Sequence, residues 1–128
     1  MKSPGLLEGA LTSAILDAAI EVHRVLGPGL LESAYRSCLA RELRLRGMEV
    51  QTERPVPLIY KEEPVDCGFR LDLLVNDAVV IELKAVDRIL PIHEAQLLTY
   101  LKLCRRRVGL LFNFNSRLLM TGFRRLVI

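Results

Sequence analysis

The sequence predicts an α/β fold, a central mixed β-sheet flanked by helices. Three observations predict it. Two blocks of helical period fill the first third of the chain, and the period then changes to β-branched stretches broken by Pro and Gly. One later helical block separates the earlier strands from two final ones. The resulting order is α-α-β-β-β-α-β-β.

Length and composition bound the reading. With 128 residues, 51% of them hydrophobic, the chain suffices for one domain spanning 1–128, its N-terminal helices at about 7–46 and its sheet and helix core at about 49–128. Aromatics are only 5% and Trp is absent, so Leu, Val, Ile and Ala must build the core and no aromatic ladder is available for stacking bases. The net charge of +3 leans towards anionic partners without selecting one. Cys38, Cys67 and Cys104 are odd in number and lack metal-ligand spacing, which excludes a disulfide framework and a zinc site and predicts reduced, partly buried thiols. The run MKSPGLLEGALTSAILDAAIEVHRVLG is interrupted by Glu8, Asp17 and Glu21, so it reads as neither signal peptide nor anchor. The expected location is the cytoplasm, with no membrane contact.

Each element follows from its period and its punctuation. From about Leu7 to Leu26, Leu11, Ile15, Ala18 and Val22 form one apolar stripe, which Gly27-Pro28-Gly29 stops. A second helix from about Leu30 to Arg46 places Leu31, Tyr35, Leu39 and Glu42 along one side, presents Arg36, Arg41, Arg44 and Arg46 on the other, and ends at Gly47. The stretch VQTERPVPLIY, with Pro55 and Pro57, suits an edge strand, and Lys61-Glu62-Glu63-Pro64 suits a turn. Two strands lie within FRLDLLVNDAVVIELKAV. A helix from about Ile92 to Cys104 follows Pro91, then RVGLLFNFN reads as a buried strand and GFRRLVI as a last one.

The strand pair carries the chemistry. A two-residue loop at Asn76-Asp77 would mix charges with aliphatics on both faces. A three-residue loop, Asn76 to Ala78, sets Asp72 opposite Glu82, Arg70 opposite Lys84 and Leu74 opposite Val80, and leaves Leu71, Leu73, Val75, Val79, Ile81 and Leu83 on one apolar face. The hydrophobic pattern selects the second register. It also sets two carboxylates opposite each other, at a cost in repulsion. Two compensations are open: crosswise ion pairs, Asp72 with Lys84 and Glu82 with Arg70, or a divalent metal held by carboxylate oxygens. Two acids, a Lys and Mg²⁺ together suit phosphodiester hydrolysis, where the metal activates water and the Lys stabilises the anionic transition state.

Asp72, then Glu82-Leu83-Lys84 ten positions on, then Gln96 and Tyr100 on the next helix, resembles the D…(D/E)xK core of the PD-(D/E)XK nuclease superfamily, in particular its RecB-like branch. Gly29-Leu30-Leu31-Glu32-Ser33-Ala34-Tyr35 further resembles the motif of the GxxExxY family within that superfamily, and the likeness runs from about Ile20 to the last strand. The resemblance implies a restriction-endonuclease-like core and a Mg²⁺ (or Mn²⁺) cofactor. It also implies Asp72, Glu82 and the Leu83 carbonyl as metal ligands, with Glu32 joining the metal shell, Lys84 beside the attacking water, and Gln96 orienting Lys84 or a phosphate. Tyr100 would close the same polar network.

Several residues also have structural explanations, which for most of them are the more common case. The helix dipole alone would favour Glu32 and Glu94, Tyr35 suits the core with its hydroxyl satisfied, and His23 suits a packing or capping role. His93 lies three residues before Gln96 and is a supporting candidate, as is Arg70. Arg105, Arg106 and Arg107, with Arg124 and Arg125, are candidate DNA contacts, although charges at helix and strand ends are more often simply solvated. The expected function is a metal-dependent nuclease acting on DNA. The alternative is a catalytically inactive module of the same fold that binds nucleic acid or a protein, as a homodimer or accessory subunit.

Overall fold

The computed structural model describes residues 7–128; the part of the leader reading that falls on residues 1–6 lies outside the described residues. Helices α1 (Gly9–Leu26) and α2 (Glu32–Leu45) come first, followed by strands β1 (Val50–Pro55), β2 (Ile59–Tyr60), β3 (Glu63–Pro64), β4 (Arg70–Val75) and β5 (Val79–Lys84). Helix α3 (Pro91–Cys104), strand β6 (Val108–Asn113), a short 3-10 helix (Leu119–Gly122) and strand β7 (Phe123–Val127) complete the order. The main sheet runs β1-β4-β5-β6-β7, and only its β5–β6 pair is parallel. That one parallel pair is where α3 makes the crossover a parallel connection requires.

Both faces of this mixed sheet are covered. On one, Ile15, Ala18 and Val22 of α1 and Tyr35, Leu39 and Leu43 of α2 pack against Leu73, Val75, Val79, Ile81, Leu110 and Phe112. On the other, Leu97, Tyr100 and Leu101 of α3 pack against Leu74, Val80 and Leu111. Central β5 and β6 are therefore buried on both sides, which is why they read as continuous apolar runs.

The hairpin has the three-residue loop: Val75 pairs with Val79 and Leu74 with Val80, and the Ala78 N–H closes the turn on the Val75 carbonyl at 3.0 Å. The ladder runs only to Leu73↔Ile81 and does not extend to Asp72–Glu82 or Arg70–Lys84. Beyond it the Asp72 N–H donates to the Glu82 carboxylate instead of to a strand carbonyl, and alternation breaks there. Leu71 consequently packs on the α3 side, correcting the single apolar face expected for it.

Other boundaries shift for local reasons. On α2, Leu31 is 78% exposed as the N-cap and Leu43, not Glu42, continues the buried stripe. The Pro-rich edge strand stops at Pro55, and residues 59–64 form a separate two-stranded ribbon whose turn residues Lys61 and Glu62 adopt positive φ. Cys38 and Cys67 are exposed and only Cys104 is half-buried, so two of the three thiols depart from the partly buried expectation. No helix among the described residues is long and apolar enough to cross a membrane.

Candidate active site

The break in the ladder creates the site. Where β4 and β5 stop exchanging backbone bonds, their carboxylates take over. Asp72 Oδ2 accepts the Leu83 N–H at 2.8 Å and Glu82 Oε1 accepts the Asp72 N–H at 3.1 Å, so each acid caps the other strand. The crosswise ion pairs are not formed. Asp72 Oδ1 instead accepts from Arg36 Nη1 at 3.1 Å, and Arg36 also reaches Glu53 at 3.3 Å. Arg70 is exposed and donates to the Glu53 carbonyl.

Glu82 is the strained group. It is 5% exposed, and burial pushes its carboxyl up to about 9, with the neighbouring Asp72 carboxylate adding to the rise; the Asp72 N–H and the Lys84 charge pull the other way. Lys84, last in β5, donates from Nζ to Gln96 Oε1 at 3.0 Å, and Gln96 Nε2 donates to the Tyr100 hydroxyl at 3.2 Å. Gln96 and Tyr100 stand one turn apart on α3, so the helix holds the lysine through a single amide. Burial and then the Glu82 carboxylate hold the Tyr100 hydroxyl above its usual value, which keeps it protonated.

Other expected residues fall elsewhere. Glu32 is exposed at the first position of α2, one turn before Arg36, and makes no ion pair among the described residues. Tyr35 is fully buried and stacked on Phe114; its hydroxyl donates to the Gly27 carbonyl at 2.6 Å and accepts the Leu30 N–H at 3.1 Å, pinning the Gly-Pro-Gly turn. His93 Nδ1 accepts the Leu90 N–H at 2.9 Å and thus caps α3. Arg105, Arg106 and Arg107 precede Val108, which pairs with Val79, so they lie at the opposite end of the sheet from Lys84. Arg106 is held there by Asp77 at 2.6 Å and Arg107 by the Ile128 carbonyl at 3.0 Å. Arg125 reaches across to the Leu7 carbonyl at 2.6 Å, while Arg124 is exposed on β7. Arg36, expected on the exposed basic side of α2, instead turns towards the sheet and pairs with Asp72, a role sequence reasoning missed.

Among the described residues no three His, Cys, Asp or Glu side chains gather as a metal group. The Asp72–Glu82 pair nevertheless suits a hard cation. Mg²⁺ keeps several of its waters and takes one or two carboxylates, and a buried acid that resists ionising is stabilised as the anion by a bound cation. The donors present, two carboxylates and the Leu83 carbonyl, are all oxygen.

The sequence profile of the PD-(D/E)XK nuclease superfamily matches residues 9–126, a span that includes β1, β4, β5 and β6 of the main sheet and all but the last residue of β7. No curated protein and no solved structure is significantly similar to the chain. With Asp72, Glu82 and Lys84 converging at the β4–β5 break and the profile covering nearly the whole chain, the protein belongs to the PD-(D/E)XK nuclease superfamily.

Proposed function

We propose that this protein, read as one domain of the GxxExxY branch, is a cytoplasmic Mg²⁺- or Mn²⁺-dependent phosphodiesterase that hydrolyses DNA. The observation that carries the reading is the pairing of two interlocked carboxylates with a lysine held by Gln96 at 3.0 Å. Asp72, Glu82 and the Leu83 carbonyl would hold the metal, with Glu32 contributing from the start of α2. When bound, the metal supplies charge at the phosphoryl oxygen and lowers the pKa of a coordinated water. Lys84 orients the attacking water and stabilises the charge that develops as the P–O ester bond breaks. Gln96 keeps the ammonium in place, and Tyr100 fixes the amide that does so.

One observation favours a second reading, a catalytically inactive module of the same fold that binds nucleic acid or a protein partner. Arg36 occupies the Asp72 oxygen that a metal would use, and an ion pair can serve a purely structural role. Calorimetric titration of Mn²⁺ into the wild type and Glu82→Ala, with incubation of both on single- and double-stranded DNA, separates the two. Metal binding and cleavage lost together in the variant support the nuclease. Absence of metal binding by the wild type, with DNA present, establishes the second reading.

A further inference from the structure

Beyond the C-terminal ends of β5 and β6 lies a separate polar recess of about 490 Å³. Its floor is Asn113, only 1% exposed. The Asn113 amide oxygen accepts the Val86 N–H at 3.1 Å and the Asn115 N–H at 3.2 Å, and its nitrogen donates to the Val86 carbonyl at 2.9 Å. One buried side chain thus ties the loop after β5 to the loop after β6. Gly122 completes the wall at close quarters; a Cβ there would collide with the Ser116 hydroxyl and come within 2.9 Å of the Asn113 carbonyl. The recess is therefore a shaped feature rather than a gap between loose loops.

Its charge is unbalanced. Arg88, Arg117 and Arg124 all line it, and Asp87 is its one acid, so three positive charges less one negative leave +2. None of the three arginines forms an ion pair among the described residues, whereas Arg24, Arg36, Arg46, Arg54 and Arg106 all do. Arg124 spends one nitrogen on the carbonyls of Phe123, at 2.8 Å, and Thr121, at 3.3 Å, which leaves the rest of its guanidinium free. Three exposed guanidinium groups around one recess, with a single carboxylate among them, favour an anion that accepts several N–H bonds at once. Ile89 is the recess's one large apolar residue, so it offers little for a base to stack on.

Position gives the anion its identity. Lys84 pairs with Asn113 in the parallel register, so the recess floor lies one strand spacing, about 4.8 Å, from the lysine's backbone. A nucleic-acid strand carries a phosphate at every nucleotide, so a strand held at Lys84 presents further phosphates beside it. We propose that the Arg88–Arg117–Arg124 recess binds a phosphate of the same nucleic-acid strand whose scissile phosphate lies at Asp72, Glu82 and Lys84, and sets that strand's register without reading bases. This rests on the nuclease reading.

The test uses the full chain in EDTA with a labelled DNA strand, carrying or lacking a terminal phosphate, titrated over a salt series. Arg117→Gln/Arg124→Gln should weaken binding about tenfold and reduce the slope of log affinity against log salt by about 1, as expected for the loss of one phosphate contact. Arg41→Gln, on the exposed side of α2, should change neither. An effect equal on both strands identifies an internal phosphodiester; one confined to the phosphorylated strand identifies a terminal phosphate. An unchanged slope in the double variant, while Glu82→Ala still abolishes Mn²⁺-dependent cleavage, overturns the recess and leaves the nuclease reading standing. Failure of the wild type to bind either strand overturns the recess, and the nuclease reading is then decided by Mn²⁺-dependent cleavage alone.

Discussion

Burial beside Asp72 pushes Glu82 up to about 9, and this couples the fold's stability to pH. The unfolded carboxyl titrates near its ordinary 4.5, so between about 4.5 and 9 the folded state holds a proton that the unfolded state has released. The contribution is fully present below 4.5 and is lost as pH rises, at a limiting rate of about 1.4 kcal/mol per pH unit, levelling above 9. Glu82→Gln should abolish that slope and raise the metal-free melting temperature at pH 8; parallel pH profiles for the two proteins would refute the burial argument. Arg36 should act with the opposite sign on metal and fold. Arg36→Ala removes a pair whose side chains are 23% and 17% exposed, so it should cost roughly 1–3 kcal/mol of metal-free stability while tightening Mn²⁺ binding by calorimetry, since no cation then competes for Asp72. Looser binding would make Arg36 a support of the metal site instead. Asp72, Glu82 and Lys84 were legible from the charged positions within two apolar strands, and Gln96 and Tyr100 from the motif resemblance that spaces them one turn apart on the next helix. Arg36 was not, since its partner lies 36 residues away and reading it required knowing which side of α2 meets the sheet.

The position of α3 against β6 governs the site at the next scale. Gly109 is the contact point: a Cβ there would lie 2.9 Å from two carbons of the fully buried Leu97, which is next to Gln96 in the helix. Gly109→Ala should therefore cost about 1–3 kcal/mol in urea unfolding and lower the cleavage rate more than the affinity for DNA, because shifting α3 loosens the hold of Gln96 on Lys84. Equal rates in variant and wild type would show that the Lys84–Gln96 bond tolerates helix movement. Most elements were legible from the change of hydrophobic period, with ends displaced by a residue or two where caps decide them. The departures have local causes. β4 and β5 stop pairing early because carboxylates replace carbonyls as acceptors, and the β1 edge closes just past Pro55, where Val56 makes the last bond to Phe69 and Pro57 cannot donate another. Neither cause is visible to a pattern that counts only apolar and polar residues.

On the scale of the whole molecule, two apolar layers share one sheet, and the site lies at the β4–β5 break, where Glu82 is buried and Asp72 meets Arg36 of α2. If residues 7–128 fold as one unit, the layers cannot unfold separately, because β5 and β6 contribute alternate side chains to both. Leu39 of α2 and Leu101 of α3 are fully buried on opposite faces, which makes them matched probes. Leu39→Ala and Leu101→Ala should each cost about 2–5 kcal/mol. Each should lower the midpoint of a single thermal transition by about 3–6 °C per kcal/mol, with circular dichroism and tyrosine fluorescence tracing the same curve. Two resolved transitions, one moved by each variant, would mean that the N-terminal helices and the α3 side form separate folding units. The alignment of Asp72 with Arg36 would then depend on docking between units, whereas one shared transition makes the ion pair and the carboxylate pair consequences of the same cooperative fold.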